Sequence, residues 1–310
     1  MMKVCFVGLG SIASRHIKNL YSLYGAKIEI DVIRSGKGNV QDYDIEKRIS
    51  HVYKENEAIP YGYDVVFITN PTKLHYTALE RMHSHGRHFF IEKPVFEAGE
   101  EDISKLKLRN DSTYYVACPL RYTNVIQYLK QRVDFSQVYS IRCISSSYLP
   151  EWRPGTDYRN SYSAKRILGG GVAIDLIHEW DYIRYLIGDP KKVCCLMGKK
   201  SDLEIDSNDV AVYIAEYPDK MVELHLDYFG RIPVRKLELY SRDDVVTADL
   251  LEQKIIYGRT GRRIDLPEDR DSYQKKELIH FFAIVNGELA NDSSIVDGCR
   301  TLMIAKGALK

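Results

Sequence analysis

The sequence predicts an α/β fold with a doubly wound parallel sheet, followed by an α+β domain built on a large, mostly antiparallel sheet. Three observations predict it. Up to about Cys118, short β-rich runs alternate with helical patterns of roughly 10–15 residues, the rhythm of right-handed βαβ units. A glycine turn, "VGLGSIASRH", closes the first of those runs. Beyond Cys118 the runs lengthen and alternate with period two, and turn signals such as "YPDK" and "SRDD" separate them, as antiparallel strands require.

In chain order, "KVCFVG" is the first strand, with a helix from about Ser11 behind it. "KIEIDVI" and "DVVFIT" follow as strands, then a helix over "LHYTALERMHSHG", the strand "HFFIE", a helix near "GEEDISKLKLR" and the strand "TYYVAC". The second half opens with the helix "NVIQYLKQRV". Its strands are "VYSIRCISSSYL", "KKVCCLMGKK", "DVAVYIAEYP", "MVELHLDYF", "VRKLELYS" and "DVVTADLLEQKIIY", interrupted by a helix-rich insertion at about 158–188. Two amphipathic helices, "SYQKKELIHFFAIVNG" and "SIVDGCRTLMIAKGALK", complete it. The division expected is therefore residues 1–118 and 119–310.

A chain of 310 residues suits two cores. With 45% apolar and 28% charged residues, and 44 basic against 43 acidic side chains, it has the composition of a soluble globular protein and no electrostatic pull toward nucleic acid or membrane. Six cysteines without CxxC spacing read as free thiols in a reducing compartment, and no metal site is expected. No run approaches the ~20 apolar residues that span a bilayer, and "KVCFVG" is too short for a signal core, so a cytoplasmic protein is expected.

The glycine turn carries the first chemistry. Gly8 permits the tight turn, Gly10 clears the side chain where a pyrophosphate must approach, and Ala13 allows close packing of helix on strand. Ser11 and Ile12 then begin a helix whose N-terminus faces the anion. A dinucleotide is the ligand this pattern serves. The second strand of such sites ordinarily ends in an acid for the ribose hydroxyls, but here it ends "IDVIRSG". With Arg34 in that place, Ser35 beside it and Lys37 near, the site favours the 2′-phosphate of NADP over NAD. Asp31, inside the strand, is the competing acid.

Two further clusters point the same way. "HFFIEKP" carries an apolar strand up to Glu92 and Lys93, at the strand end where open α/β sheets bind ligands, and Pro94 restricts Lys93 to extended backbone. An X-Pro bond also has access to the cis form. "GGGVAIDLIHEWDYIRYLIGDP" sets Asp175, His178 and Asp181 at intervals of three in a helical apolar pattern, so that Asp175 can orient the imidazole.

Taken together, these motifs resemble the glucose-fructose oxidoreductase and inositol dehydrogenase family, Gfo/Idh/MocA, across essentially the whole chain. The resemblance rests on Gly8, Gly10 and Ala13, on "TNPTKLH", on "EKP", on "CPLRYTN" and on the "GGG" to "HEWD" block. It implies an N-terminal Rossmann domain holding NAD or NADP and a C-terminal domain with an open-faced sheet that often mediates oligomer contacts, hence a homodimer or homotetramer. It implies that Lys93 contacts the substrate hydroxyl and that His178 is the general acid/base, with Asp175 beside it. Asn70, Pro71 and His75 fall where the family lines the nicotinamide side, Glu92 and Lys93 beside the cofactor, and Arg121 on the family's n-x-R arginine. The spacing departs from the common D-x-x-x-H: here only two residues separate the aspartate from the histidine.

The function expected is hydride transfer between a nicotinamide cofactor and a secondary hydroxyl or ketone of a sugar or sugar derivative. The stretch "YLPEWRPGTDYRNSYSAKRI" offers aromatic faces and guanidinium groups in Trp152, Arg153, Tyr158 and Arg159. It looks like that of family members from surface-polysaccharide and sugar-nucleotide pathways, so an anionic or nucleotide sugar is expected. Solvation of these cations, or pairing with Glu151 and Asp157, is the competing account. The alternative function is a non-catalytic NADP sensor of the same fold, which would need the glycine turn but not Lys93 and His178.

Overall fold

The computed structural model describes residues 1–36 and 42–308. Lys37 lies outside the described residues. The chain begins with β1 (Met2–Val7), α1 (Ser11–Tyr24) and β2 (Ile28–Arg34), then a short α2 (Tyr43–Glu46), β3 (His51–Lys54) and β4 (Tyr63–Ile68). It continues with α3 (His75–Met82), β5 (Gly86–Ile91) and β6 (Tyr114–Val116). All six strands are parallel, in the order β3, β2, β1, β4, β5, β6. The central strands are apolar without alternation because both faces are covered: Val4 to Phe6, Val66 to Ile68 and Phe89 to Ile91 are fully buried.

Two departures from the sequence reading have local causes. β3 is an edge strand and largely exposed, so it has no apolar run to announce it. The helix expected near "GEEDISKLKLR" is replaced by one 3-10 turn, Ile103–Leu106. Glu101 takes the amides of Ala98 and Gly99, Asp102 takes that of Ser104, and Lys107 leaves in the left-handed region at φ 50°. Such local side-chain bonds compete with helix propagation.

The next stretch holds α4 (Asn124–Arg132), β7 (Val138–Tyr148), α5 (Val172–Asp175) and α6 (His178–Ile187). The strands β8 (Lys192–Gly198), β9 (Val210–Glu216), β10 (Met221–Asp227) and β11 (Phe229–Ser241) follow, then β12 (Val245–Asp249), β13 (Lys254–Tyr257) and β14 (Arg263–Asp265). They form an eight-stranded sheet ordered β14, β13, β12, β11, β7, β10, β9, β8, antiparallel except where β10 lies parallel to β7. One face is buried, as Val222, Leu224 and Leu226 show. The other is open, with Leu196, Val212 and Ile214 exposed on adjacent strands. The run "DVVTADLLEQKIIY" is two strands, turned where Asp249 takes the amides of Leu251 and Glu252 and Gln253 adopts φ 51°.

α7 (Ser272–Val285) and α8 (Ile295–Ala305) complete the chain. Its contacts divide it into Met1–Pro119 with Arg270–Arg300, and Leu120–Asp269 with Thr301–Lys310. Residues 270–300 thus depart from the linear division expected of the sequence. Phe281 on α7 packs its ring against Phe67, Phe90 and Tyr115, Tyr24 meets Phe282, and Glu277 takes the amide of Cys118 at 2.5 Å. A Cβ on Gly298 would stand 3.0–3.1 Å from Val116 and Val95. An aromatic helix face and a glycine contact bring the late helices to the early sheet, and no local pattern records that pairing.

Candidate active site

In the first unit, the candidate residues leave the carboxyl ends of neighbouring parallel strands. Gly8 turns at φ 94° and donates its amide to Ile33 O; a Cβ there would come within 2.7 Å of Asn70 Cα, so only glycine fits against the β4 loop. Gly10 caps α1 with open space where its Cβ would be, and α1 has no acidic side chain in its first turn. Open space at Gly10, a first turn with no side-chain cap and no acidic side chain in that turn fit the diphosphate of a dinucleotide. Thr69 fastens the neighbouring loop by bonds to Val7 O and Gly8 O, which places Asn70 and Pro71 beside the glycine turn.

Asp31 and Arg34 part company here. Asp31 is buried, accepts the Tyr63 hydroxyl at 2.7 Å and faces His51 at 3.3 Å, whereas Arg34 is the last residue of β2 and Ser35 follows it. His75 is also buried, with Nδ1 facing Val95 O at 3.1 Å and Nε2 facing Asn70 O at 2.9 Å. Burial pushes its pKa down despite these carbonyls. Its ring joins the Asn70 loop to the segment after Pro94.

Beyond β5, Glu92 continues the ladder with its amide on Ile68 O. Its carboxylate turns inward, Oε1 lying 2.7 Å from His16 Nε2 and Oε2 taking the Lys93 amide at 3.2 Å. Burial alone would raise the Glu92 carboxyl, yet the His16 bond and the adjacent charges hold it below the ordinary value. The Lys93–Pro94 bond is cis. His16 was absent from the sequence expectations. Its signal was a polar residue within the buried stripe Ala13, His16, Ile17, Leu20 of α1.

In the second unit, two of the three glycines are sterically required. A Cβ on Gly170 would fall 2.0 Å from Tyr162 O, and one on Gly171, at φ 135°, 2.7 Å from Asn208 Oδ1. Asp175 and His178 do not share one helix, contrary to the helical pattern expected. α5 ends at Asp175, Leu176 departs at ψ 31°, and His178 opens α6. Asp175 accepts the Tyr228 hydroxyl at 2.6 Å. The two residues after His178 with carboxylates are tied as well. Arg235 Nε lies 2.7 Å from Glu179 Oε1, as an ion pair whose N–H is not aligned on the oxygen, and Glu179 is wholly buried. Asp181 receives Arg121 through two bonds of 2.6 and 2.9 Å. Arg121 is buried with its guanidinium also over the Tyr185 ring, so this residue expected at the substrate is engaged in the scaffold of α6.

The aromatic and basic stretch separates into two kinds of residue. Trp152, Arg153 and Tyr158 line one concavity together with Leu149, Thr156 and Ser163. Arg159 instead binds Asp157 at 2.9 Å and Glu204 at 2.8 Å, the carboxylate pairing that competed with a substrate role.

The family description "Oxidoreductase family, NAD-binding Rossmann fold" matches residues 2–113, and "GFO/IDH/MocA C-terminal domain" matches residues 126–240. A scyllo-inositol 2-dehydrogenase (NAD(+)) of Bacillus subtilis is 26% identical over 196 residues, 60% of this chain and 54% of that protein. The chain thus spans about half the length of that curated relative. Among solved structures, a UDP-N-acetylglucosamine 3-dehydrogenase from Acidithiobacillus ferrooxidans superposes with TM-score 0.74 at 18% identity, covering 99% of this chain and 96% of that one. A levoglucosan dehydrogenase in complex with NADH superposes at 0.78 and 17%, covering 99% and 95%. At these identities the likeness is one of fold.

Proposed function

The chain belongs to the Gfo/Idh/MocA oxidoreductase family, and from that premise we propose that it is an NAD(P)-dependent dehydrogenase of a secondary hydroxyl in a sugar derivative. The carrying observation is the glycine cradle, open at Gly10, with Lys93 leaving the same edge of the same sheet. The nicotinamide supplies hydride chemistry when bound. Gly8, Gly10 and the first turn of α1 hold the diphosphate, with Asn70 and Pro71 beside it. Lys93 hydrogen-bonds the reacting oxygen and His178 exchanges its proton, with Asp175 assisting. Arg34 and Ser35 support NADP over NAD, and the hydrogen bonding of Asp31 inside the sheet supports the same choice.

Trp152 and Arg153 in one concavity support an anionic sugar or nucleotide sugar as substrate. The exposed apolar residues of the open sheet face support a homodimer or homotetramer. Six free thiols support a cytoplasmic setting, and no helix among the described residues is long and apolar enough to cross a membrane.

The test is to denature the purified protein, identify any released nucleotide by mass, and then follow reduced-nicotinamide absorbance over UDP-N-acetylglucosamine, levoglucosan, D-xylose and scyllo-inositol. Lys93→Ala and His178→Ala should each lose at least about a hundredfold in kcat while retaining nucleotide. Full turnover in either variant removes that residue from the chemistry.

A further inference from the structure

We propose that Tyr228 is a positioning residue that acts through Asp175 and joins it to the Trp152 pocket. The inference rests on the reading of Asp175 and His178 given above. Tyr228 is wholly buried between β10 and β11, and both ends of its side chain are engaged. Its hydroxyl donates to Asp175 Oδ2 at 2.6 Å, with the Ser163 side chain of the pocket beside it. Its ring meets that of Trp152 in a T-shaped contact, centroids 5.2 Å apart and planes at 89°. Trp152 is in turn fixed by its Nε1 on Ser147 Oγ, and the Tyr228 carbonyl takes the amide of Leu149, another lining residue. One buried residue thus packs behind two lining residues of the pocket, Trp152 and Leu149, and also anchors the carboxylate. Asp175 closes α5 only three residues before His178 opens α6, across the break at Leu176. That carboxylate sits at the end of a helix of only four residues, so its side-chain contacts carry much of its placement.

The test is Tyr228→Phe, which keeps the ring under Trp152 and removes only the hydroxyl. With whichever sugar of the panel the wild type oxidises, kcat should fall about tenfold, the value of one strong hydrogen bond, with KM within about twofold. Trp152→Ala should do the converse, raising KM. In an Asp175→Asn background, Tyr228→Phe should add no further loss, since the two act as a unit. Additive losses, or an unchanged kcat, overturn the proposal. Amide hydrogen exchange of residues 172–178 supplies a readout that needs no turnover: it should quicken in Tyr228→Phe and stay unchanged in Trp152→Ala. Unaltered exchange in Tyr228→Phe overturns the tether. A wild type that turns over no sugar counts against the proposed function instead, and the exchange result still decides on Tyr228.

Discussion

The carboxyl end of β5 and the start of α6 carry the same kind of cargo, a group we propose acts at the reacting oxygen, and hold it by different means. Lys93 follows a strand whose last residues are fully buried, and its immediate neighbours, Glu92 and Pro94, set where it begins. His178 opens a helix broken from its predecessor, and carboxylates around it reach Tyr228, Arg235 and Arg121, all distant in the chain. A residue placed by its own backbone depends little on any one side chain elsewhere. One placed by tethers depends on each of them.

The largest effect should come from cutting the deepest tether. Glu179→Leu leaves the Arg235 cation without its counter-charge against a buried helix face and should cost about 3–5 kcal/mol in urea unfolding. Replacing both partners, Glu179→Leu with Arg235→Met, should recover most of that loss, because the pair's own desolvation is removed as well. A single variant that unfolds within about 1 kcal/mol of wild type would mean that packing, not the ion pair, holds α6.

The corresponding pair at the other site should show itself mainly in pH. Glu92 has its folded pKa held below the ordinary 4.5 by His16 and Lys93. Between the two values the unfolded chain binds the extra proton, so this contribution is present above about 4.5 and is lost as pH falls through the folded value. Glu92→Gln should therefore flatten the acid limb of stability against pH while costing less at neutral pH than Glu179→Leu, since β5 still delivers Lys93. An acid limb as steep as in wild type would refute the role of the pair.

The same contrast explains what could be read from the residues. The glycine turn, β5 and the Glu-Lys-Pro exit are local patterns, and each is found where the chain predicts it. β3 escaped notice because an edge strand has no buried face to advertise, and the place of α7 escaped because Phe281 meets partners near residues 67, 90 and 115. Around His178 the glycines and the apolar spacing were visible, but the helix break at Leu176 was not. Nor were the tethers: a tyrosine at 228 or an arginine at 235 in a period-two strand looks the same whether it holds the segment around His178 or fills a sheet.

The finest distinction lies within the basic stretch, where sequence offers Arg153 and Arg159 on equal terms. Arg159 already has two carboxylates, Asp157 and Glu204, each within 3 Å, so it brings no net positive charge to a ligand. Arg153 lines the concavity with Trp152, and no carboxylate partner for it is found among the described residues. For an anionic sugar, Arg153→Ala should raise KM roughly tenfold with kcat unchanged, the signature of lost binding felt equally before and at the transition state. Arg159→Ala should leave KM and the unfolding midpoint near wild type, as exposed ion pairs generally do. The opposite ranking would mean that substrate draws Arg159 away from its two carboxylates, and that recognition here is assembled on binding instead of standing ready in the folded chain.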